Sequence, residues 1–279
     1  MPATSRRLFL QAALAPAAWP AVGRAQGFPS RPLRIVVPFG AGGVADLTAR
    51  AVAQPMAELL GQGVVVENKP GAGGIAAGEA VARAEPDGHT LLLMSNATAV
   101  SASLFKSLPF DPLKDFAPIS TLGYFDIALF VAAGSRFSTI DGLLAHAKAH
   151  PGQLNVGTIN IGSTQHLSAE LLKTSAGLDF QVVPFNGTPA VLNALRAGQV
   201  DACVEILAPM LGQVRAGTVR ALAVLGERRA AATAAVPTLA ESGLAGFNVS
   251  SWNALAAPAR TPRDVVGLLH RQVLATLGR

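Results

Sequence analysis

The amino-acid sequence predicts an α/β fold arranged as two lobes, with mostly parallel sheets flanked by helices. Three observations lead there. After residue 26, short apolar runs alternate with glycine-rich or polar turns and with helical apolar periodicities, the rhythm of βαβ units. The 279 residues are 50% hydrophobic, with 28 glycines and 19 prolines but only 5% aromatics, which suits a large core served by many tight connections. The middle of the chain begins and ends on extended runs, as crossings between two lobes require; a single large sheet is the rival arrangement.

Residues 33–37 predict the first buried strand, followed by a turn at 38–43 and a helix over 45–60. A second strand at 64–66 enters the 68–74 turn and a helix reaching 84, and a third strand covers 90–94. Prolines at 109, 112 and 118 make 104–118 an irregular surface path. Strands follow at 119–123 and 127–131, with the passage to the second lobe between them. A helix over 139–149 is closed by His150, Pro151 and Gly152, and 155–157 ends a strand. Loop and helix over 162–176, strand 181–183, helix 189–197, strand 200–204, short helix 208–216 and strand 219–225 continue the alternation. Residues 250–256 return to the first lobe, and Thr261-Pro262 opens a last helix, where proline removes no needed hydrogen bond. The expected organisation is a leader at 1–25, a first lobe from 26–124 with 247–279, and a second lobe from 125–246.

The leader is a secretory signal. Arg6 and Arg7 precede an apolar stretch at 8–18 that is too short to span a bilayer, and Gly23-Arg24-Ala25 offers small residues for cleavage. Phe9 and Leu10 beside the arginine pair point to the twin-arginine route, an ordinary signal with two arginines being the alternative. A soluble periplasmic protein starting near Gln26 is expected.

Charge and reactive residues exclude several functions. The chain has 22 Lys and Arg against 17 Asp and Glu; without Arg6, Arg7 and Arg24 the basic count is 19, a nearly balanced surface with no dense patch for nucleic acid. Cys203 is the sole cysteine, so no intrachain disulfide forms and a buried, inert thiol is expected. The five histidines are scattered; His146 and His150 have i,i+4 spacing without the zinc-protease acid, and Gly162-Ser163-Thr164-Gln165 breaks the serine-hydrolase elbow, leaving His166 structural. No catalytic constellation, metal or cofactor is predicted.

Five turns can bind a ligand. At Phe39, Gly40, Ala41, Gly42 and Gly43 a glycine turn opens a helix, so main-chain amides and the helix dipole hold an anion without a charged side chain. Asp46 either caps that helix or holds a ligand ammonium. The same residues fit a dinucleotide fingerprint (Gly40, Gly42, Ala45, with Glu67 on the ribose), which makes an exported oxidoreductase the competing function; the spacing recurs at Gly71, Gly73 and Ala76, and one cofactor cannot use both. Ser95, Asn96 and Thr98 follow the third strand, where open α/β sheets bind ligands or where the same residues cap a helix. Ser163 and Thr164 stand at a helix start, and residues 184–188 form a fourth polar turn. Glu205 ends a strand, where an acid attracts an amine, accepts a hydroxyl bond, or stands as a solvated strand end.

The ordering of Phe28 to Pro32, Val36-Val37-Pro38-Phe39-Gly40-Ala41-Gly42-Gly43, Val65-Val66-Glu67-Asn68-Lys69-Pro70-Gly71-Ala72-Gly73-Gly74, Pro86-Asp87-Gly88, Leu108-Pro109-Phe110-Asp111-Pro112, Gly198-Gln199-Val200-Asp201 and Arg220-Ala221-Leu222-Ala223-Val224 resembles the Bug family, the periplasmic receptors of tripartite tricarboxylate transporters. The resemblance covers nearly all of the chain after the leader. It implies a Venus-flytrap (type II-like) periplasmic binding protein that is not an enzyme, a small organic carboxylate as ligand, inner-membrane transporter subunits as partners, and a monomer; carboxylate sensing without transport is the close variant. It puts the 38–43 turn on a ligand carboxylate, with Ser95, Asn96 and Thr98 lining the first lobe and Ser163, Thr164 and Phe185 the second. Glu205 replaces a usual Asp, Asn160 a usual glycine, and Phe185-Asn186-Gly187 the common Tyr-Lys-Gly. Family members also continue several tens of residues past the last helix, so a first lobe shortened at its C-terminal end is expected.

Overall fold

The computed structural model describes residues 27–278. The leader expected at 1–25 lies outside the described residues. The chain runs β1 (Leu33–Val37), α1 (Val44–Leu60), β2 (Val64–Asn68), α2 (Ile75–Ala82), β3 (Thr90–Ser95), α3 (Asn96–Leu104), β4 (Phe116–Ala132), α4 (Ile140–Ala149) and β5 (Asn155–Ile159). It continues through α5 (Thr164–Ser175), β6 (Gln181–Phe185), α6 (Thr188–Arg196), β7 (Ala202–Ile206), α7 (Leu207–Arg215), β8 (Val219–Val224), β9 (Ser250–Pro258) and α8 (Arg263–Leu277).

These elements form an α/β domain on one nine-stranded sheet, ordered β2-β1-β3-β9-β4-β7-β5-β6, with β8 pairing β4 from off that path. Central strands β3 and β7, and β1 from Ile35 onward, are buried on both faces, which explains the apolar runs at 35–37 and 91–94. The expectation of mostly parallel sheets is corrected: the sheet is mixed. β1 pairs β2 and β3 in parallel, and β5 pairs β6 and β7 likewise. The ladders β3–β9, β4–β9, β4–β7 and β4–β8 are antiparallel. Strand–helix alternation in a sequence reports the βαβ crossovers; it is silent on two long strands that run between the parallel groups and pair against them.

β4 also differs from the two separate strands expected at 119–123 and 127–131. It is one strand of 17 residues whose first half pairs β9 and whose second half pairs β7 and β8. Pro118 is accommodated because the β4–β9 register shifts between Pro118 and Ser120, a bulge that removes the need for a proline N–H. The sequence signals α3 only as a helix that Ser95, Asn96 and Thr98 could cap; it is short and buries Ala97, Thr98 and Ser101.

The largest apolar cluster packs α1 and α8 (Met56, Leu269, Val273) on the β1–β3 side and α6 and α7 (Val191, Leu195, Met210) on the β4 side. A second cluster under Leu129, Phe180 and Val204 fills the other face of the β5–β7 group. Cys203 is fully buried in the first of these clusters, and burial, with the charge of Glu205 adding to it, pushes its thiol well up, as expected of an inert side chain.

Candidate functional site

Five strands, β1, β3, β5, β6 and β7, each hand over to a helix within a few residues, and the N-terminal ends of α1, α3, α5, α6 and α7 meet around one cavity. Its wall is Phe39, Gly40, Gly43, Val44 and Ala45 from the α1 start, Ser95 before α3, and Ile159, Thr164 and Gln165 around the α5 start. Gly187 and Thr188 from α6, Ile206 before α7, and Ser251 and Asn253 from β9 complete it. The space is about 380 Å³, of which only about 20 Å³ admits the centre of a water molecule, so the walls stand close together. Among the described residues no Lys, Arg or His lines it.

The first turn of α1 supplies bare donors. Gly43 is the N-cap, in extended conformation, and no side chain caps the helix. The Leu47 amide is the first to bond back, to Gly43 O at 3.0 Å; the amides of Gly43, Val44 and Ala45 meet no acceptor among the described residues. Such amides need a partner when buried. The turn itself is held from outside the cavity. Asp46, 3% exposed, accepts from the Gly42 amide at 3.0 Å and from Arg50 Nε at 3.0 Å, and Asn68 Nδ2 donates to Phe39 O at 3.0 Å. Burial alone pushes the Asp46 carboxyl up; bonds from Arg50, Gly42 and Asn68 outweigh it and hold the group below its ordinary value.

Glycine at 40 and 43 lets the opposite turn come close. A Cβ on Gly40 would sit 3.3 Å from Asn186 O, and one on Gly43 would sit 3.1 Å from Thr188 Oγ1. The 38–43 turn therefore faces the 186–188 turn nearly backbone to backbone.

Hydroxyls and amides complete the ring. Ser95 Oγ is buried at the N-cap of α3 in a loose capping box with Thr98, without a bond of full hydrogen-bond geometry, and the Ser95 amide donates to Thr98 Oγ1 at 3.5 Å. Thr164 Oγ1 and Ser251 Oγ are 3.3 Å apart, and Asn253 Nδ2 donates to Thr48 Oγ1 at 3.4 Å, tying β9 to α1. Glu205 is fully buried directly behind the wall; its Oε1 accepts from Gln165 Nε2 at 2.6 Å and from the Ile206 amide at 2.7 Å. Its solvated-strand-end alternative is thereby removed.

Of the residues singled out in the sequence, Phe39, Gly40, Gly43, Ser95 and Thr164 share the cavity wall. Ala41 and Gly42 are exposed on the same turn. Asn96 Oδ1 accepts from the Trp252 amide at 3.1 Å, which docks α3 on β9. Ser163 caps α5: its Oγ accepts from the His166 amide at 3.1 Å and donates to Ile159 O at 3.0 Å. Phe185 lies at an outer hollow with Pro70, Ala72, Asn160 and Ile161. Glu67, the acid expected on a ribose, is paired with Arg34 at 3.0 Å and is absent from the cavity wall. Gln165 is one residue past Thr164 and Thr188 falls within the 184–188 turn named in the sequence, neither having been chosen as a ligand residue; Ser251 and Asn253 were not singled out and come from β9, far away in sequence. Among the described residues no group of His, Cys, Asp and Glu is placed to hold a metal, and no helix is long and apolar enough to cross a membrane.

A family profile described as the tripartite tricarboxylate transporter family receptor matches residues 48–278. Protein BugT of Bordetella pertussis is 38% identical over 252 residues, covering 89% of this chain and 77% of that protein. MatC from Rhodopseudomonas palustris, solved with bound malate, superposes with a TM-score of 0.86 at 35% identity, covering 90% of this chain and 86% of that one. A second R. palustris protein, solved with adipate, gives a TM-score of 0.87 at 32% identity over 90% of this chain and 85% of the other. The fold is that of a periplasmic binding protein. A profile match over most of the chain, relatives along nearly its whole length, and a shared fold lead to one conclusion: this chain belongs to the tripartite tricarboxylate transporter receptor family and is a periplasmic solute-binding receptor of a transporter of that type.

Proposed function

We propose that the cavity captures a small carboxylate and that the receptor closes on it as two α/β lobes, 26–124 with 247–279 and 125–246, before delivering it to inner-membrane transporter subunits. The observation that carries this reading is the set of bare amides at Gly43, Val44 and Ala45, facing a cavity with no cationic side chain. Taking a carboxylate out of water costs several kcal/mol. One helix start returns about 0.3–1 kcal/mol when exposed and up to ~2 kcal/mol when partly buried, so convergence of several helix starts, with direct hydrogen bonds, is what offsets the cost. The malate and adipate held by the two R. palustris proteins support the ligand class.

In this reading the α1 amides with Gly40 take one ligand carboxylate, and Ser95 and Thr164 bond to it from either side. Phe39 covers it. Ala41, Gly42 and Asp46 shape the turn, Asn96 and Thr98 hold Ser95 in place, Ser163 presents Thr164 and Gln165, and Phe185 closes the outer mouth. Glu205 acts from behind. The protein is a monomeric binding protein, not an enzyme, and needs no cofactor. Native mass spectrometry of the purified receptor followed by thermal shifts against mono-, di- and tricarboxylates tests the function. A carboxylate at 100 times its Kd should add about 2.7 kcal/mol of stability. A panel that leaves the melting temperature unmoved contradicts it.

A further inference from the structure

Glu205 is a fully buried carboxyl against the back of the cavity, and only half of it is occupied. Oε1 accepts from Gln165 Nε2 at 2.6 Å and from the Ile206 amide at 2.7 Å. Oε2 has no partner at hydrogen-bond geometry, and the Thr188 hydroxyl is a nearby donor that acts on the carboxyl. A glutamate kept only to brace the fold would have no reason to bury an oxygen without a partner.

The bond to Glu205 fixes the polarity of Gln165 on the cavity wall, and the same carboxyl draws on Thr188 beside it. The Gln165 NH2 group is committed to Oε1, so the amide oxygen is the end left for a ligand. A Thr188 hydroxyl whose proton is drawn toward the Glu205 carboxyl turns its lone pairs to the cavity. That oxygen lies 3.1 Å from where a Cβ on Gly43 would stand, which puts it beside the bare amides of α1. An acceptor therefore sits next to the place where the ligand carboxylate binds. A plain carboxylate brings only CH2 groups against it and leaves buried acceptors without a donor.

Resting on the carboxylate reading above, we infer that Glu205 selects solutes with a hydroxyl or ammonium on the carbon next to the bound carboxylate, namely 2-hydroxy- and 2-aminocarboxylates. Glu205 is a positioning residue; Gln165 and Thr188 touch the solute.

Calorimetry with matched probes tests this: succinate, malate and aspartate; glutarate, 2-hydroxyglutarate and glutamate; and 3-hydroxyglutarate as the positional control. In the purified receptor the 2-substituted member should bind about 10-fold or more tightly than its unsubstituted partner, and 3-hydroxyglutarate should bind like glutarate. Glu205→Gln keeps an oxygen for Gln165 and Ile206 but places an NH2 against Thr188, turning that hydroxyl's proton into the cavity. It should bring the ratio to within about 3-fold. Thr188→Val, which keeps the shape without the hydroxyl, should lower the ratio in the same direction and decides the matter if Glu205→Gln melts early. An unchanged ratio in both variants, no preference in the unaltered receptor, or equal binding of 2- and 3-hydroxyglutarate overturns the inference and leaves carboxylate capture standing. If no probe and no other carboxylate binds at all, the carboxylate reading itself falls, and this inference with it.

Discussion

The Gly73 amide donates to the Ile161 carbonyl at 2.9 Å, joining the 71–74 turn after β2 to the 160–162 turn after β5. The second glycine-rich motif is thus a contact between the two parallel strand groups. Gly162 has φ +82°, and a Cβ there would lie 2.8 Å from Leu104 Cδ2 and 3.3 Å from Gly73 Cα. Gly162→Ala should cost about 1–2 kcal/mol in urea unfolding through the left-handed backbone, and should weaken carboxylate affinity about 10-fold more than that loss alone would, because the turns no longer meet. Calorimetry beside urea titration separates the two; unaltered affinity would mean the contact does not form in the bound state.

Gly43→Ala tests closeness without strain. The residue has φ −86°, open to any side chain, but its Cβ would face Thr188 Oγ1 at 3.1 Å. Stability should change by no more than about 0.5 kcal/mol, while carboxylate Kd rises about 10-fold.

Two serines should behave differently. Ser95 Oγ sits in a loose capping box at the start of α3 without a bond of full geometry, so Ser95→Ala should cost the unliganded receptor no more than about 0.5 kcal/mol, with affinity reduced about 5- to 10-fold. Ser163 Oγ caps α5, so Ser163→Ala should cost about 1 kcal/mol of stability. A Ser163→Ala variant of normal stability and reduced affinity would place that hydroxyl on the ligand instead.

Asp46 gives a pH signature. Its folded carboxyl titrates below the ordinary value, so in the window between the two the unfolded chain holds the extra proton. Its contribution is present above the ordinary carboxylate range and is lost as pH falls through the folded value. Asp46→Asn should lower stability by about 1–2 kcal/mol at neutral pH, and the gap should shrink below about pH 4 in urea titrations followed across pH. A gap independent of pH would mean that the charge of Asp46 is not what holds the 38–43 turn.

Much of this was legible in the sequence because it is local. Strand–helix order, the 38–43 turn, Ser95 and Thr164 follow from short-range pattern, since a strand end followed by a helix start is where main-chain donors are left over. Choosing between Ser163, Thr164 and Gln165 was not, because adjacent residues at a helix start point about 100° apart and only the packed helix decides which faces inward. Ser251 and Asn253 were invisible for a different reason. They enter through the antiparallel β3–β9 and β4–β9 ladders, contacts between residues more than a hundred positions apart. Glu205 was noticed as an acid at a strand end, but its burial and its bond to Gln165 depend on the tertiary fold.

A crystal structure of the receptor with the tightest carboxylate from the panel tests the central claim most directly. A ligand carboxylate oxygen should lie within about 3.2 Å of the Val44 or Ala45 amide, or be joined to it by one ordered water. A ligand seated in another hollow, or one in this cavity whose carboxylate leaves those amides bare, would contradict the account.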